Sequence, residues 1–129
     1  MYYLLKRENK MIINLTQHLA THEQLEAGVI DLEYNTSLKL KKLITFDTLP
    51  SQHDLSERAK FVAMLAHSTG AKKAMIGGAP FFMSHLEKAL KEQGITPYYA
   101  FSERVCSEKF KDGKIIKVNE FKHLGFIMA

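Results

Sequence analysis

Short β-branched runs alternate with amphipathic stretches of helical period along most of the chain. Near its end, Lys111-Asp112-Gly113-Lys114 joins two further strand-like segments. The alternation predicts parallel strands connected by helices, and the Asp-Gly turn predicts an antiparallel hairpin. Together they predict an α/β domain with a mostly parallel sheet and a C-terminal β-hairpin. The 129 residues suit one domain, residues 1–129, of a size that buries a core without staples.

Met11-Ile12-Ile13-Asn14-Leu15 reads as the first strand. Met11 begins it, so residues 1–10 read as an upstream extension, although Tyr2, Tyr3, Leu4 and Leu5 would equally prolong the strand. Thr21 then opens a short helix. Gln24, three residues on, gives the T-x-x-Q capping box, and Gly28 ends it. Residues 29–32 suit a second short strand. Residues 37–46 stay open, because Leu38, Leu40, Leu43 and Ile44 fit either period. The spacing predicts a helix over 51–68, with Ser51 as N-cap, Asp54 in the first turn and Gly70 beyond its end. Its apolar stripe is Leu55, Ala59, Val62, Leu65 and Ala66.

Lys73–Ile76 is a buried strand that runs into Gly77-Gly78. Pro80 sits where a helix tolerates a missing N–H, and Phe82, Met83, Leu86, Ala89 and Leu90 line that helix up to Gly94. Thr96–Phe101 is the next strand, which makes 73–101 a βαβ unit with a right-handed crossover. Residues 104–111 and 114–121 then form the hairpin. The architecture these elements predict is a Rossmann-like three-layer sandwich.

Composition narrows the function classes. With 46% hydrophobic and 25% charged residues the chain has the balance of a folded soluble domain, not of a disordered one. A single cysteine, Cys106, excludes an internal disulfide framework and a cysteine-cluster zinc site. The net charge is +4, from 18 Lys and Arg against 14 Asp and Glu. That suits an anionic ligand but is too weak for a basic stripe on duplex DNA. No apolar run reaches the roughly 18–20 residues of a membrane span, and the order of MYYLLKRENK is wrong for a secretory signal, so the expected location is cytoplasmic. No H-E-x-x-H, P-loop, G-x-G-x-x-G or G-x-S-x-G is present, so no metal and no cofactor is expected.

Three constellations carry chemistry. The first is Gly77-Gly78-Ala79-Pro80, between a strand's carboxyl end and a helix's amino end. Such a junction offers amides and the positive end of the helix dipole to a phosphate, although it also reads as a tight turn. The second is Asn14, Thr16, Gln17 and His18 after the first strand. If strands one and three are neighbours, this loop and the glycine turn face one crevice. His18 then suits phosphate donation or acid–base work, against the plainer reading of a turn leading into the Thr21 helix. The third is the hairpin. A two-residue Asp112-Gly113 turn puts Arg104, Cys106, Glu108 and Phe110 on one face with Ile115, Lys117, Asn119 and Phe121. Arg104, just past Ser102, offers a fork for phosphate oxygens. His123 fits either a site or a half-buried strand end. His22, His53, His67 and His85 read as helix surface, Cys106 as inert, and Phe81 and Phe82 as core, although one of the two would also suit flanking an adenine.

The order of these residues carries a resemblance. Asn14-Leu15-Thr16-Gln17-His18 precedes Thr21, Glu23 and Gln24. A glycine turn and helix precede Thr96-Pro97-Tyr98-Tyr99-Ala100-Phe101-Ser102-Glu103-Arg104. Asp112-Gly113, Lys117 and Phe121-Lys122-His123 follow. From Met11 onward this resembles the small CARF-like accessory proteins of type III CRISPR systems, grouped with the ring nucleases, and their phage-encoded relatives. Residues 33–60 do not match. The resemblance implies a homodimer that binds cyclic oligoadenylate across its two-fold axis and cuts it without a metal. The ribose 2′-hydroxyl would attack the adjacent phosphate and leave a cyclic phosphate end. On that reading His18, Arg104 and Lys117 are catalytic, with His18 moving the proton and the two cations stabilising charge. Asn14, Thr16, Gln17, Gly77, Gly78, Ala79, Pro80, Ser102, Glu108 and His123 bind the ligand. The alternatives are a non-cleaving sensor or sponge for a cyclic nucleotide, and a small α/β interaction module.

Overall fold

A computed structural model of the chain describes residues 11–129; the extension proposed at 1–10 lies outside the described residues. The elements run β1 (Ile12–Asn14), α1 (His22–Glu26), β2 (Val29–Ile30), α2 (Tyr34–Ile44), α3 (Gln52–Ser68), β3 (Lys73–Ile76), α4 (Pro80–Glu92), β4 (Thr96–Lys111) and β5 (Lys114–Met128). They form one five-stranded sheet in the order β2-β1-β3-β4-β5. The first four strands are parallel and β5 is antiparallel to β4. This is the α/β architecture the alternation predicts.

Local signals place the helices. Thr21 caps α1 with its side chain accepting from the Gln24 amide, and the Gln24 side chain accepts from the Thr21 amide in return. Ser51 Oγ accepts from the Asp54 amide to start α3. The ambiguous stretch 37–46 resolves as helix. Leu40 and Ile44, four apart, are buried, while Lys39, Lys41 and Lys42 face out. Arg58 of α3 holds the end of α2. Its Nη1 donates to the Leu43 and Thr45 carbonyls at 3.3 and 2.8 Å, and its guanidinium lies 4.6 Å over the Phe46 ring.

The helices divide unevenly between the sheet's two faces. On one, α2, α3 and α4 bury Leu40, Leu55, Val62, Phe82, Leu86 and Leu90 against Ile13, Ala74 and Ile76. Each large side chain fully removed from water there contributes about 1.5–3 kcal/mol. On the other face Ile12, Val29 and Met75 form a small cluster, covered by Ala20, Ala100 and Phe126. The five-residue α1 lies on this side, where Glu23 accepts from the His123 amide of β5 at 3.0 Å.

The hairpin is longer than its sequence suggests. Thr96–Phe101 and 104–111 are not two strands but one, and β5 continues past residue 121 to Met128. The interruption at Ser102-Glu103 is absorbed in the partner strand. Phe101 pairs with Gly125 and Ser102 with His123, so Leu124 is the extra residue of a β-bulge. Beyond it the predicted register holds: Lys111 opposite Lys114, Phe110 opposite Ile115, Glu108 opposite Lys117.

Candidate functional site

In a doubly wound sheet, ligands bind outside the carboxyl ends of the strands where the order reverses. Here the chain leaves β1 toward β2 on one side and β3 toward β4 on the other, so the switch point lies between β1 and β3. A cleft of about 400 Å³ opens there. Thr16, Gln17, His18 and Leu19 after β1 line it, with Thr21 and Gln24 of α1, Met75 to Gly78 at the end of β3, and Tyr99 and Ala100 of β4.

The β1 loop is built around Asn14, which is only 4% exposed. Its amide nitrogen donates to the His18 carbonyl and to Asp31 Oδ1, both at 2.8 Å. Its oxygen accepts from the Thr16 amide and hydroxyl at 2.9 and 2.7 Å. Asp31 Oδ1 also accepts from the Ala20 amide at 3.0 Å. Asn14 is therefore saturated inside the fold: its work is to shape the loop, and it lines a small 50 Å³ recess beside the cleft rather than the cleft itself. That shaping turns Gln17 and His18 outward. Both are exposed, and the His18 ring makes no hydrogen bond among the described residues, while Gln17 Nε2 donates to Thr45 Oγ1 at 3.4 Å.

The glycine turn meets this loop closely. A Cβ on Gly77 would stand 3.8 Å from Thr16 Cγ2. Gly78 has φ +139, a conformation glycine adopts without strain. Ala79 is the N-cap of α4 with no side-chain cap and Pro80 its first residue, so the helix opens without a side chain occupying its amino end. Among the described residues no carboxylate lines the cleft; its polar groups are hydroxyls, amides and one imidazole. Among the described residues no three His, Cys, Asp or Glu side chains gather to hold a metal ion.

Of the residues the sequence singles out, Thr16, Gln17, His18, Gly77 and Gly78 converge on the cleft. Ala79 and Pro80 lie just behind it at the start of α4. Ser102, Arg104, Glu108 and Lys117 do not line it. They stand on the hairpin, which carries β4 outward past the ends of β1 and β3. Arg104 is four residues beyond Ala100, about 13 Å along the strand, and Lys117 pairs with Glu108, about 26 Å along. His123 packs on Phe126, with ring centroids 4.8 Å apart, and its Nδ1 is buried without a hydrogen-bond partner among the described residues. Cys106 has a partner after all: its thiol donates to Asn119 Oδ1 across the strands at 2.7 Å.

Sequence reasoning did not single out Asp31, Thr21, Gln24 or Tyr99 as part of this edge. Burial first, and then the Glu87 carboxylate beside it, hold the Tyr99 phenol above its ordinary range. Asp31 was visible as a carboxylate closing the Val29-Ile30 strand, but its role needs the fold that brings it to Asn14.

The fold and cleft define a small doubly wound α/β protein with an open cleft at its switch point. The chain belongs to the uncharacterized protein MJ1673 family, whose family model matches residues 10–127. No curated protein and no solved structure matches it. Among the described residues no helix is long and apolar enough to cross a membrane.

Proposed function

We propose that this protein is a cytoplasmic, metal-independent ring nuclease that binds and cleaves cyclic oligoadenylate. The observation that carries the reading is the cleft at the switch point, where the exposed His18 imidazole and the Gly77-Gly78 turn share one wall system with no carboxylate among the described residues. A phosphate there meets backbone amides and the open amino end of α4 without electrostatic repulsion. Met75, Ile76, Leu19 and Ala100 supply apolar surface for a base.

Cleavage needs little covalent chemistry from the protein. The 2′-oxygen forms a bond to phosphorus, the P–O5′ bond breaks, and a cyclic 2′,3′-phosphate remains. His18 takes the 2′-hydroxyl proton, and the departing 5′-oxygen is protonated from water. A positioned acid–base group of this kind contributes about 10²–10⁴-fold, and holding the hydroxyl in line contributes further. Arg104 and Lys117, which stand away from the cleft of their own chain, stabilise charge only if a second copy brings a hairpin to it. One cleft of this size suits one nucleotide unit, so a ring of several requires a homodimer.

The test is incubation of the pure protein with labelled cyclic oligoadenylates of several ring sizes, with and without chelator. Chelator-resistant products ending in cyclic phosphate are expected, and His18→Ala should slow them at least about 100-fold. Retention of the ring without products would make the protein a sponge or sensor. A cleavage rate untouched by both His18→Ala and Arg104→Ala would remove these residues from the site.

A further inference from the structure

Beyond the bulge, Ser102–Lys111 and Lys114–His123 form a ribbon ten residue pairs long, about 33 Å. Seventeen of these twenty residues are exposed, and α1 reaches the ribbon at its base, where Glu23 meets the His123 amide. On the face that continues the cleft side of the sheet, Phe110, Ile115 and Phe121 are 77%, 66% and 74% exposed. A lone two-stranded ribbon is marginal in water, and exposed aromatic surface of this extent marks an interface. The outer edge of β5 from 114 to 122 carries no proline that would block a further strand, while the His123 amide at its base is taken by Glu23.

We propose that this ribbon is a dimerisation arm whose occupant is the same ribbon of a second copy of the chain. The face is self-complementary. Apolar groups sit toward both ends, Phe110 and Ile115 at the tip and Phe121 near the base, with the Cys106–Asn119 and Glu108–Lys117 pairs between them. A two-fold axis running along the ribbon, between two such faces, lays β4 of one copy over β5 of the other at the same height. Phe110 of one copy then meets Ile115 of the other, Glu108 meets Lys117 of the other, and Phe121 meets Arg104 of the other. The ribbon's charge also fits a copy of itself better than a polyanion: residues 102–123 hold six Lys and Arg against four Asp and Glu. A single-sign patch would repel itself across a two-fold axis, whereas a mixed one pairs. The arm rises from the carboxyl edge where the cleft opens, so the same clasp carries Arg104 and Lys117 toward the second copy's cleft. That last consequence rests on the ligand reading above; the interface does not.

The experiment is sedimentation equilibrium of the full chain without ligand. The wild type should sediment at about twice its 14.7 kDa mass. The Phe110→Glu/Ile115→Glu double variant should fall to a single chain with its far-UV circular dichroism retained. Charge reversal then tests the pairing itself. Glu108→Lys alone and Lys117→Glu alone should each associate several-fold more weakly, because each faces like charge in its own dimer. An equimolar mixture of the two should recover wild-type association, because every contact between unlike copies is again of opposite sign. A wild type that stays monomeric at all concentrations, a double variant that stays dimeric, or a mixture no tighter than its parts overturns the proposal. A dimer that binds no cyclic oligoadenylate removes the ligand reading and leaves the arm. A monomer that cleaves it does the reverse.

Discussion

The two halves of β4 share one backbone ladder and little else. From Thr96 to Ala100 the strand lies between β3 and β5, with Pro97 fully buried and Tyr99 against the helix layer. From Ser102 to Lys111 it has β5 alone, and nine of its ten residues are exposed. The inner half is held by packing, the outer half by cross-strand pairs such as Lys109–Glu120 at 3.2 Å. Exposed ion pairs of that kind contribute at most about 1 kcal/mol. The difference teaches that continuity of hydrogen bonding does not make a strand one structural unit. The inner half belongs to the body and its cleft, and the outer half is an exposed surface held by one neighbouring strand.

The largest test of that division sets a body residue against a ribbon residue. Phe82 is 0% exposed at the centre of the helix layer. Phe82→Ala should cost about 3–5 kcal/mol in chemical denaturation. Phe121→Ala removes the same ring from an exposed position. Measured at concentrations low enough to keep the chain monomeric, it should shift stability by no more than about 0.5 kcal/mol. Equal losses would mean that the ribbon folds back on its own body.

An intermediate effect is expected at the cleft's inner loop, where polar groups are satisfied within the chain. Asn14→Ala leaves the His18 carbonyl, the Asp31 carboxylate and the Thr16 amide without their shared partner. A loss of about 1–3 kcal/mol is expected. It should come with faster amide exchange over residues 16–20 and unchanged exchange in the ribbon. Faster exchange in both would join the regions that β4 divides.

Much of this division was legible in the sequence, and where legibility failed the reason is physical. Caps and turns are local, so Thr21-Gln24, Ser51 and Asp112-Gly113 announced their elements, and the Asp-Gly turn fixed the ribbon's register residue by residue. The stretch 37–46 was not legible because α2 buries only a narrow stripe, and its lysines blur the period. The joining of 96–101 to 104–111 escaped notice because a bulge in β5, not a residue in β4, absorbs the irregularity. The cleft's glycines and its Thr16-Gln17-His18 loop were found because they sit at strand ends. Lys117 was grouped with them because register gives a shared face but not a distance along it. Tyr99 entered the site only through the lateral alignment of β4 on β3, which no single segment encodes.

Tyr99 supplies the smallest test, and it falls on the packed half of β4. Burial and Glu87 raise its pKa above the ordinary 10.0. The unfolded tyrosine therefore ionises before the folded one does. Stability from the neutral phenol is complete below about pH 10 and is lost as pH rises through the folded value. Tyr99→Phe removes that loss, although at neutral pH it also removes whatever the hydroxyl contributes. Denaturation midpoints from about pH 8 to about pH 11 should thus converge, or cross, as the wild type falls faster than the variant. The other tyrosines titrate in both proteins and cancel in the difference. Glu87→Gln should reproduce part of the flattening, because the carboxylate is the lesser cause of the shift and burial the greater. Parallel curves would place Tyr99 in water, with the bare half of its strand.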